Sequence, residues 1–197
     1  EDPKWEDRDR FILSKGHAGI AYAPVLCDFG YNDPEQLKTF NLTNSKMGIH
    51  LDSNKVAGVD ASTGSLGHGI PIAAGTAIAA RVLGKDYYTY VVTGDGELDE
   101  GSNWEGLMTI RHYNLTNCIT IVDRNHCMID GNTEDVMKLE PLADKFVAFG
   151  FHTIVCEGNN IVSLCKAIDE AHKTKDKPTV IAVSYTHLRA HETLSDL

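Results

Sequence analysis

The sequence has no long apolar run and no excess of basic residues. Its 197 residues include 18 Lys and Arg against 28 Asp and Glu, and the formal net charge is −10. No stretch approaches the roughly 20 apolar residues that a membrane-spanning helix needs. An acidic chain also lacks the basic surface through which proteins attract nucleic acid. We therefore expect no membrane partner and no nucleic-acid partner, and we expect a cytoplasmic protein.

Cysteine is scarce and irregularly spaced. The five cysteines are Cys27, Cys118, Cys127, Cys156 and Cys165, and no two of them form a CxxC pair. An odd number without paired spacing argues against a disulfide framework. Several lie in apolar runs, so we expect reduced cysteines in the core. The hydrophobic content of 42% and the charged content of 23% are ordinary for a soluble globular protein of one domain.

What the sequence does have is an alternation of short apolar runs and helical stretches. Runs typical of strands cover 87–93, 118–122, 151–155 and 179–183. Helical patterns cover 18–29, 34–40, 67–83, 102–112, 141–149 and 161–172. This alternation predicts an α/β fold, a doubly wound parallel sheet with helices on both faces. The helix at 67–83 is nearly uncharged, so we expect it to be buried against the sheet or a partner.

The most informative motif is Gly94-Asp95-Gly96, with Asn125 further along the chain. The glycine motif follows the run 87–93, and Asn125 follows the run 118–122. The carboxyl ends of parallel strands meet at one edge of the sheet, where open α/β sheets bind ligands. A carboxylate and an amide oxygen beside glycines suit a hard cation and phosphate oxygens. For the glycine motif alone, a tight turn without a ligand is the alternative.

Residues 9–183 resemble the thiamine-diphosphate-binding half of transketolases, and most closely the split kind in which that half is a separate polypeptide. The matching motifs are RFILSKGH at 10–17, GVDASTGSLGHG at 58–69, GDGELDEG at 94–101, and VDRN at 122–125 with IDG at 129–131. The resemblance implies two cofactors, thiamine diphosphate and Mg²⁺, with Ca²⁺ or Mn²⁺ as possible substitutes. It also implies sugar phosphates as substrates and a pyrimidine-binding transketolase half, on a separate chain, as partner.

The resemblance assigns a metal site to the loops after two of the strands. It implies that Asp95 and Asn125 are side-chain ligands of the metal and that Cys127 contributes its backbone carbonyl. Gly96 would offer its N–H to the diphosphate. A cysteine is acceptable at position 127 because only its carbonyl is needed. The alternative for Asn125 is a side chain that caps the loop.

Two histidines and a glycine-rich loop match positions that surround the reacting part of the cofactor. His17 matches a catalytic histidine beside the thiazolium ring and the bound sugar, and His50 matches a second one near the substrate hydroxyls. An imidazole suits proton exchange near pH 7. Gly64 and Leu66 would present backbone groups to the aminopyrimidine ring. Each histidine has an ordinary loop position as its alternative.

Four acidic residues follow the glycine motif, and they divide into two kinds. Glu100 and Glu105 match glutamates of a hydrogen-bonded network between paired active sites, and Glu100 is grouped with the catalytic residues. Their alternative is an ordinary acidic helix start, which the helix dipole favours. Glu97 and Asp99 are interpreted as solvated residues of that ordinary kind. With the apolar helix at 67–83, the network predicts a homodimer, or a heterotetramer once the partner half is present.

The implied function is transfer of a two-carbon glycolaldehyde unit from a ketose phosphate to an aldose phosphate. No residue matches the glutamate that activates the cofactor, so the chain is expected to hold half of an active site. Two alternatives stay open: another thiamine-diphosphate transferase, resembling deoxyxylulose-phosphate synthase or a dehydrogenase, and an inactive fragment or interaction module. We expect a truncated cofactor-binding domain at 1–183 and a non-native tail at 184–197, which lacks core periodicity.

Overall fold

The centre of the fold is a sheet of five parallel strands. The computed structural model describes residues 2–185. The strands along the chain are β1 (Arg10–Leu13), β2 (Thr89–Gly94), β3 (Cys118–Arg124), β4 (Cys127–Met128), β5 (Gly131–Asn132), β6 (His152–Glu157) and β7 (Thr179–Ser184). The five-stranded sheet has the order β1-β2-β3-β7-β6, and β4 and β5 form a separate antiparallel pair. Ser184, which the sequence assigned to the tail, is the last residue of β7, while 186–197 lie outside the described residues.

Helices cover both faces of this sheet, as the sequence predicted. They are α1 (Gly19–Asp28), α2 (Gly69–Val82), α3 (Gly101–His112), α4 (Thr133–Val136), α5 (Leu142–Ala148) and α6 (Ile161–Lys173). Val180 belongs to the core shared with α2, α3 and α5, whereas Ile181 belongs to the core shared with α6. Successive residues of a strand point to opposite faces, so these cores lie on opposite sides of the sheet. Within residues 2–185, no helix has the length and apolar character to cross a membrane.

Helix α2 is buried on the side that faces the sheet and exposed on the other side. Its Ala73, Ala77 and Ala80 are fully buried, but Ile72 and Val82 on other sides are exposed. The small residues let α2 pack closely on β2 and α3, and the remaining surface has no cover within the described chain. The helix is therefore buried against the sheet, as expected, but only on one side. A partner on the exposed side remains a prediction.

A smaller core beneath α1 fixes the loops that lead to the sheet edge. Its buried members are Ala23, Leu26, Cys27, Met47, Leu51 and Val56. Asp60 joins this region to the sheet, because its carboxylate accepts hydrogen bonds from both terminal nitrogens of Arg8 and from the backbone N–H of Phe11. The loop that begins near Asp60 is thereby held beside β1.

The cysteines agree with the expectation of a reduced core. Cys27, Cys118 and Cys156 are buried and form no disulfide. Burial raises the pKa of the Cys118 thiol to about 12, so this side chain remains a neutral thiol at physiological pH.

Candidate functional site

The loops that follow β1, β2 and β3 open at the same edge of the sheet. Leu13 pairs with Val92, and Gly94 pairs with Asp123. The backbone N–H of Asp95 donates to the carbonyl of Asp123 at 3.2 Å, which continues the pairing into the loops. The structure thus brings the glycine motif and the segment with Asn125 together, as expected for adjacent parallel strands.

Asp95 lies at the centre of this edge and is almost completely buried. Its Oδ1 accepts a hydrogen bond from the N–H of Gly96 at 2.8 Å. Its Oδ2 accepts from the N–H of His126 at 2.7 Å and from Arg124 Nη1 at 2.8 Å. Each carboxylate oxygen can accept more than one hydrogen bond, so Oδ1 keeps a lone pair for a further ligand.

Asn125 and Cys127, which follow β3, offer two further oxygen atoms close to the glycine motif. Asn125 Oδ1 accepts from the N–H of Cys127 at 2.8 Å, which holds the amide oxygen in the loop. A Cβ atom on Gly96 would lie 3.6 Å from the carbonyl oxygen of Cys127 and 2.7 Å from Cβ of Met128. Glycine at position 96 therefore allows the β4–β5 hairpin to approach the motif.

The oxygen atoms of Asp95, Asn125 and Cys127 fit a hard cation that binds together with a phosphate group. A carboxylate, an amide oxygen and a backbone carbonyl are ligands that Mg²⁺ accepts in an octahedral site. Residues 2–185 contain no cluster of three or more His, Cys, Asp and Glu that could hold a metal ion. A cation here would depend on phosphate oxygens in addition to the protein ligands.

Sequence reasoning missed Arg124, which is the only basic member of the VDRN motif. Its side chain is 4% exposed and pairs with the carboxylates of Asp95, Glu134 and Glu140 at 2.7–2.9 Å. It also donates to Thr133 Oγ1 at 2.6 Å. Burial alone would lower the pKa of Arg124, but Asp95 and Glu140 outweigh it and raise the pKa. Arg124 thus connects the candidate metal ligand to the segment that contains α4.

We expect Arg124→Met to lower the free energy of unfolding by about 3 kcal/mol, because it leaves the buried carboxylate of Asp95 without its cation. Urea unfolding followed by circular dichroism measures this change. Lys38→Met is the control, since it removes an exposed Lys–Glu pair and should change stability by less than about 1 kcal/mol. Equal effects of the two substitutions would contradict the structural role of Arg124.

The two predicted catalytic histidines stand beside the same glycine loop. A Cβ on Gly16 would lie 2.9 Å from the N atom of Gly64, and a Cβ on Gly64 would lie 3.0 Å from Cγ of His50. His17 and His50 are both exposed. Desolvation and the charge of Lys15 lower the pKa of His17, so its imidazole is neutral at pH 7.

An ion pair between Lys15 and Asp123 joins the loops after β1 and β3. Asn125 Nδ2 donates to the same Asp123 oxygen at 3.1 Å. Burial alone would raise the pKa of Asp123, but the hydrogen bond and charge of Lys15 outweigh it and lower the pKa. Asp123 is therefore an anion that orients both Lys15 and the amide of Asn125.

Glu97 differs most clearly from its interpretation as a solvated acid. The residue is 3% exposed. Its carboxylate accepts hydrogen bonds from Ser14 Oγ and from the N–H groups of Gly67 and Gly94. The interpretation is wrong because the glutamate turns inward between three loops, whereas its neighbour Asp99 is exposed as expected.

The remaining predicted site residues lie around the rim. Leu66 is partly buried, and its carbonyl oxygen is 3.1 Å from His68 Nδ1. Glu100 and Glu105 are exposed. A Cβ on Gly67 would lie 2.6 Å from Cβ of Glu100, so Glu100 stands beside the glycine loop. The proposed roles of these residues remain predictions.

Comparison with known proteins gives consistent matches. Residues 1–187 match the family described as transketolase, thiamine diphosphate binding domain. The chain is 41% identical over 180 residues to one subunit of the apulose-4-phosphate transketolase of Actinobacillus succinogenes, covering 91% of this chain and 65% of that protein. It is 38% identical over 183 residues to the 6-deoxy-6-sulfo-D-fructose transketolase subunit SqwG of Clostridium sp. (strain MSTE9), covering 93% of this chain and 66% of that protein.

A solved structure matches the fold as well. The transketolase from Leishmania mexicana matches with a TM-score of 0.89 and 39% identity, covering 93% of this chain and 29% of that chain. The chain therefore spans about two thirds of the length of the two split-enzyme relatives and less than a third of the solved transketolase.

Proposed function

Because the chain belongs to the transketolase family through its thiamine-diphosphate-binding domain, we propose that it binds thiamine diphosphate with Mg²⁺ and serves glycolaldehyde transfer from a ketose phosphate to an aldose phosphate. The observation that carries the proposal is the convergence of the Ser14, Gly67 and Gly94 loops on one sheet edge, beside Asp95 and Asn125. Open α/β sheets bind ligands at this edge.

The charges of the site support joint binding of the cation and the diphosphate. Asp95 is the only carboxylate among the three proposed ligands, and it is already paired with Arg124. Asp95, Asn125 and the Cys127 carbonyl therefore provide too little negative charge to balance a divalent cation. The diphosphate supplies the missing charge, and the N–H of Gly96 supports it. Ca²⁺ and Mn²⁺ take the same oxygen ligands and are expected to substitute.

Thiamine diphosphate, when bound, supplies the carbanion-stabilising chemistry. The residues of this chain orient it and move protons. Gly64 and Leu66 present backbone groups to the aminopyrimidine ring. His17, with its lowered pKa, is neutral at pH 7 and accepts a proton from a substrate hydroxyl, while His50 contacts the neighbouring hydroxyls.

The active site is completed by a second chain. No residue of this chain matches the glutamate that activates the cofactor, so a pyrimidine-binding transketolase half is the proposed partner. The relatives that are named as subunits support such a division. Sugar phosphates are the proposed substrates, and apulose 4-phosphate and 6-deoxy-6-sulfofructose belong in a substrate panel with xylulose 5-phosphate and ribose 5-phosphate.

Calorimetric titration tests cofactor binding directly. Thiamine diphosphate is titrated into the chain with Mg²⁺ or with EDTA, alone and with a purified pyrimidine-binding half of a split transketolase. The proposal expects binding that requires the cation. Absence of cation-dependent binding in both arms would overturn it.

We expect the chain to associate as a homodimer, or as a heterotetramer with the partner half. Glu100, Glu105 and the apolar Ile72 of α2 are all exposed, as an interface of more than roughly 1,000 Å² with an apolar centre requires. Sedimentation at micromolar concentration should show a dimer that Ile72→Asp weakens at least about tenfold. Val162→Asp is the control, because Val162 is exposed on α6. A strict monomer, or equal effects of both substitutions, would contradict this assembly.

A further inference from the structure

Glu97 has a buried carboxylate without a basic partner among residues 2–185. Its contacts are all hydrogen-bond donors: Oε1 accepts from Ser14 Oγ and, at 3.0 Å, from the N–H of Gly67, and Oε2 accepts from the N–H of Gly94 at 3.2 Å. A buried charge of this kind is tolerated only where several donors replace the lost water. The arrangement therefore depends on all three donors being in place.

The three donors belong to three separate loops of the candidate site. Ser14 precedes Gly16 and His17, Gly67 follows Gly64 and Leu66, and Gly94 precedes Asp95. Ser14 Oγ also accepts from the N–H of Gly69 at 3.1 Å, which adds the first residue of α2 to the same chain of hydrogen bonds. One carboxylate thus contacts three loops, which carry His17, the proposed aminopyrimidine-binding residues Gly64 and Leu66, and Asp95.

The backbone of Glu97 is itself anchored to α3. Its backbone carbonyl accepts a hydrogen bond from Asn103 Nδ2 at 2.5 Å, and Asn103 is fully buried in α3. The backbone of Glu97 is therefore fixed to α3, and the carboxylate extends from this fixed point to the three loops.

We infer that Glu97 is a positioning residue that sets the spacing of the loops around thiamine diphosphate, an inference that rests on the proposed function. In the proposed complex the Ser14 loop would hold His17 beside the reacting ring, the Gly67 loop would contact the aminopyrimidine ring and the Gly94 loop would hold the diphosphate. A ligand that touches all three loops depends on their spacing, whereas a ligand that touches only the Gly94 loop does not.

Glu97→Gln keeps the size of the side chain but cannot satisfy the three donors. Either its NH₂ group faces the N–H of Gly94, or it faces the N–H of Gly67 and the Ser14 hydroxyl. Both orientations oppose donors in a buried site, so we expect about 10- to 100-fold weaker binding of thiamine diphosphate. Asp99→Asn is the matched control, since it removes the same charge from an exposed residue two positions later and should leave the affinity unchanged.

Inorganic pyrophosphate with Mg²⁺ separates positioning from general damage. Because pyrophosphate would contact only the Gly94 loop, its binding does not depend on the spacing between loops, and Glu97→Gln should weaken it at most about threefold. Equal losses for pyrophosphate and thiamine diphosphate would show a merely structural role and would overturn the inference. These titrations use the condition, with or without the partner half, under which the wild-type chain binds thiamine diphosphate.

Two outcomes distinguish this inference from the proposed function. If the wild-type chain binds no thiamine diphosphate with Mg²⁺, the proposed function fails and the inference fails with it. If the wild type binds and Glu97→Gln binds equally well, only the inference fails. If Glu97→Gln does not fold, Ser14→Ala is the second test, because it removes one of the three donors. A larger loss of affinity for thiamine diphosphate than for pyrophosphate, each relative to wild type, supports the inference. Unchanged binding of thiamine diphosphate overturns it.

Discussion

Asp95→Ala is expected to abolish Mg²⁺-dependent binding of thiamine diphosphate, with a loss of affinity above about 100-fold. Residues that only hydrogen-bond to a metal ligand already contribute about 10- to 100-fold to metal affinity, and a ligand itself contributes more. The substitution removes the only charged ligand of the proposed site. The fold should persist, because Arg124 keeps the carboxylates of Glu134 and Glu140 as partners. Calorimetry measures the affinity, and circular dichroism verifies the fold.

Asp99→Ala is the control for this substitution, because Asp99 is an exposed acid in the short helix that follows Asp95. Its affinity for thiamine diphosphate should equal that of the wild type. An Asp95→Ala chain that binds the cofactor with unchanged affinity would show that the site is assigned to the wrong residues.

The chain by itself should show no measurable transketolase turnover, which means a rate at least about 100- to 10,000-fold below that of the mixture with a pyrimidine-binding half. This range is the typical contribution of a positioned acid or base, and the proposed function assigns the activating glutamate to the partner half. A coupled assay with xylulose 5-phosphate and ribose 5-phosphate compares the two samples.

The reconstituted sample needs its own control. Asp95→Ala mixed with the same partner half should remain inactive, which ties the turnover to the site of this chain. Turnover by the pure chain at a rate similar to that of the mixture would refute the proposed division of the active site.

The central strands and most helices could be predicted because their signals are local. The apolar runs at 118–122 and 179–183 became β3 and β7, and the glycine motif lies at the end of β2 as expected. The strand β1 was missed, because four residues after a charged segment are too few to show the alternation of a strand. Pairing with β2 stabilises it. The β4–β5 hairpin was missed for the same reason, since each strand has two residues.

The side chains missed at the site depend on contacts between distant parts of the chain. Glu97 is adjacent to exposed acids in sequence, and only the approach of Ser14 and Gly67 makes it a buried acceptor. Arg124 is buried because Glu134 and Glu140 fold back onto it. No local periodicity encodes either arrangement, whereas the glycines and Asp95 stand in a motif whose chemistry can be interpreted from residue types alone.

The proposed function depends on a cation at the edge formed by the ends of β2 and β3. A crystal structure of the chain grown with thiamine diphosphate and Mn²⁺ tests it most directly, because the anomalous signal of manganese locates the ion. We expect one peak between Asp95, Asn125 and the carbonyl oxygen of Cys127, with the diphosphate beside Gly96. A bound cofactor whose ion lies away from these three residues would contradict it.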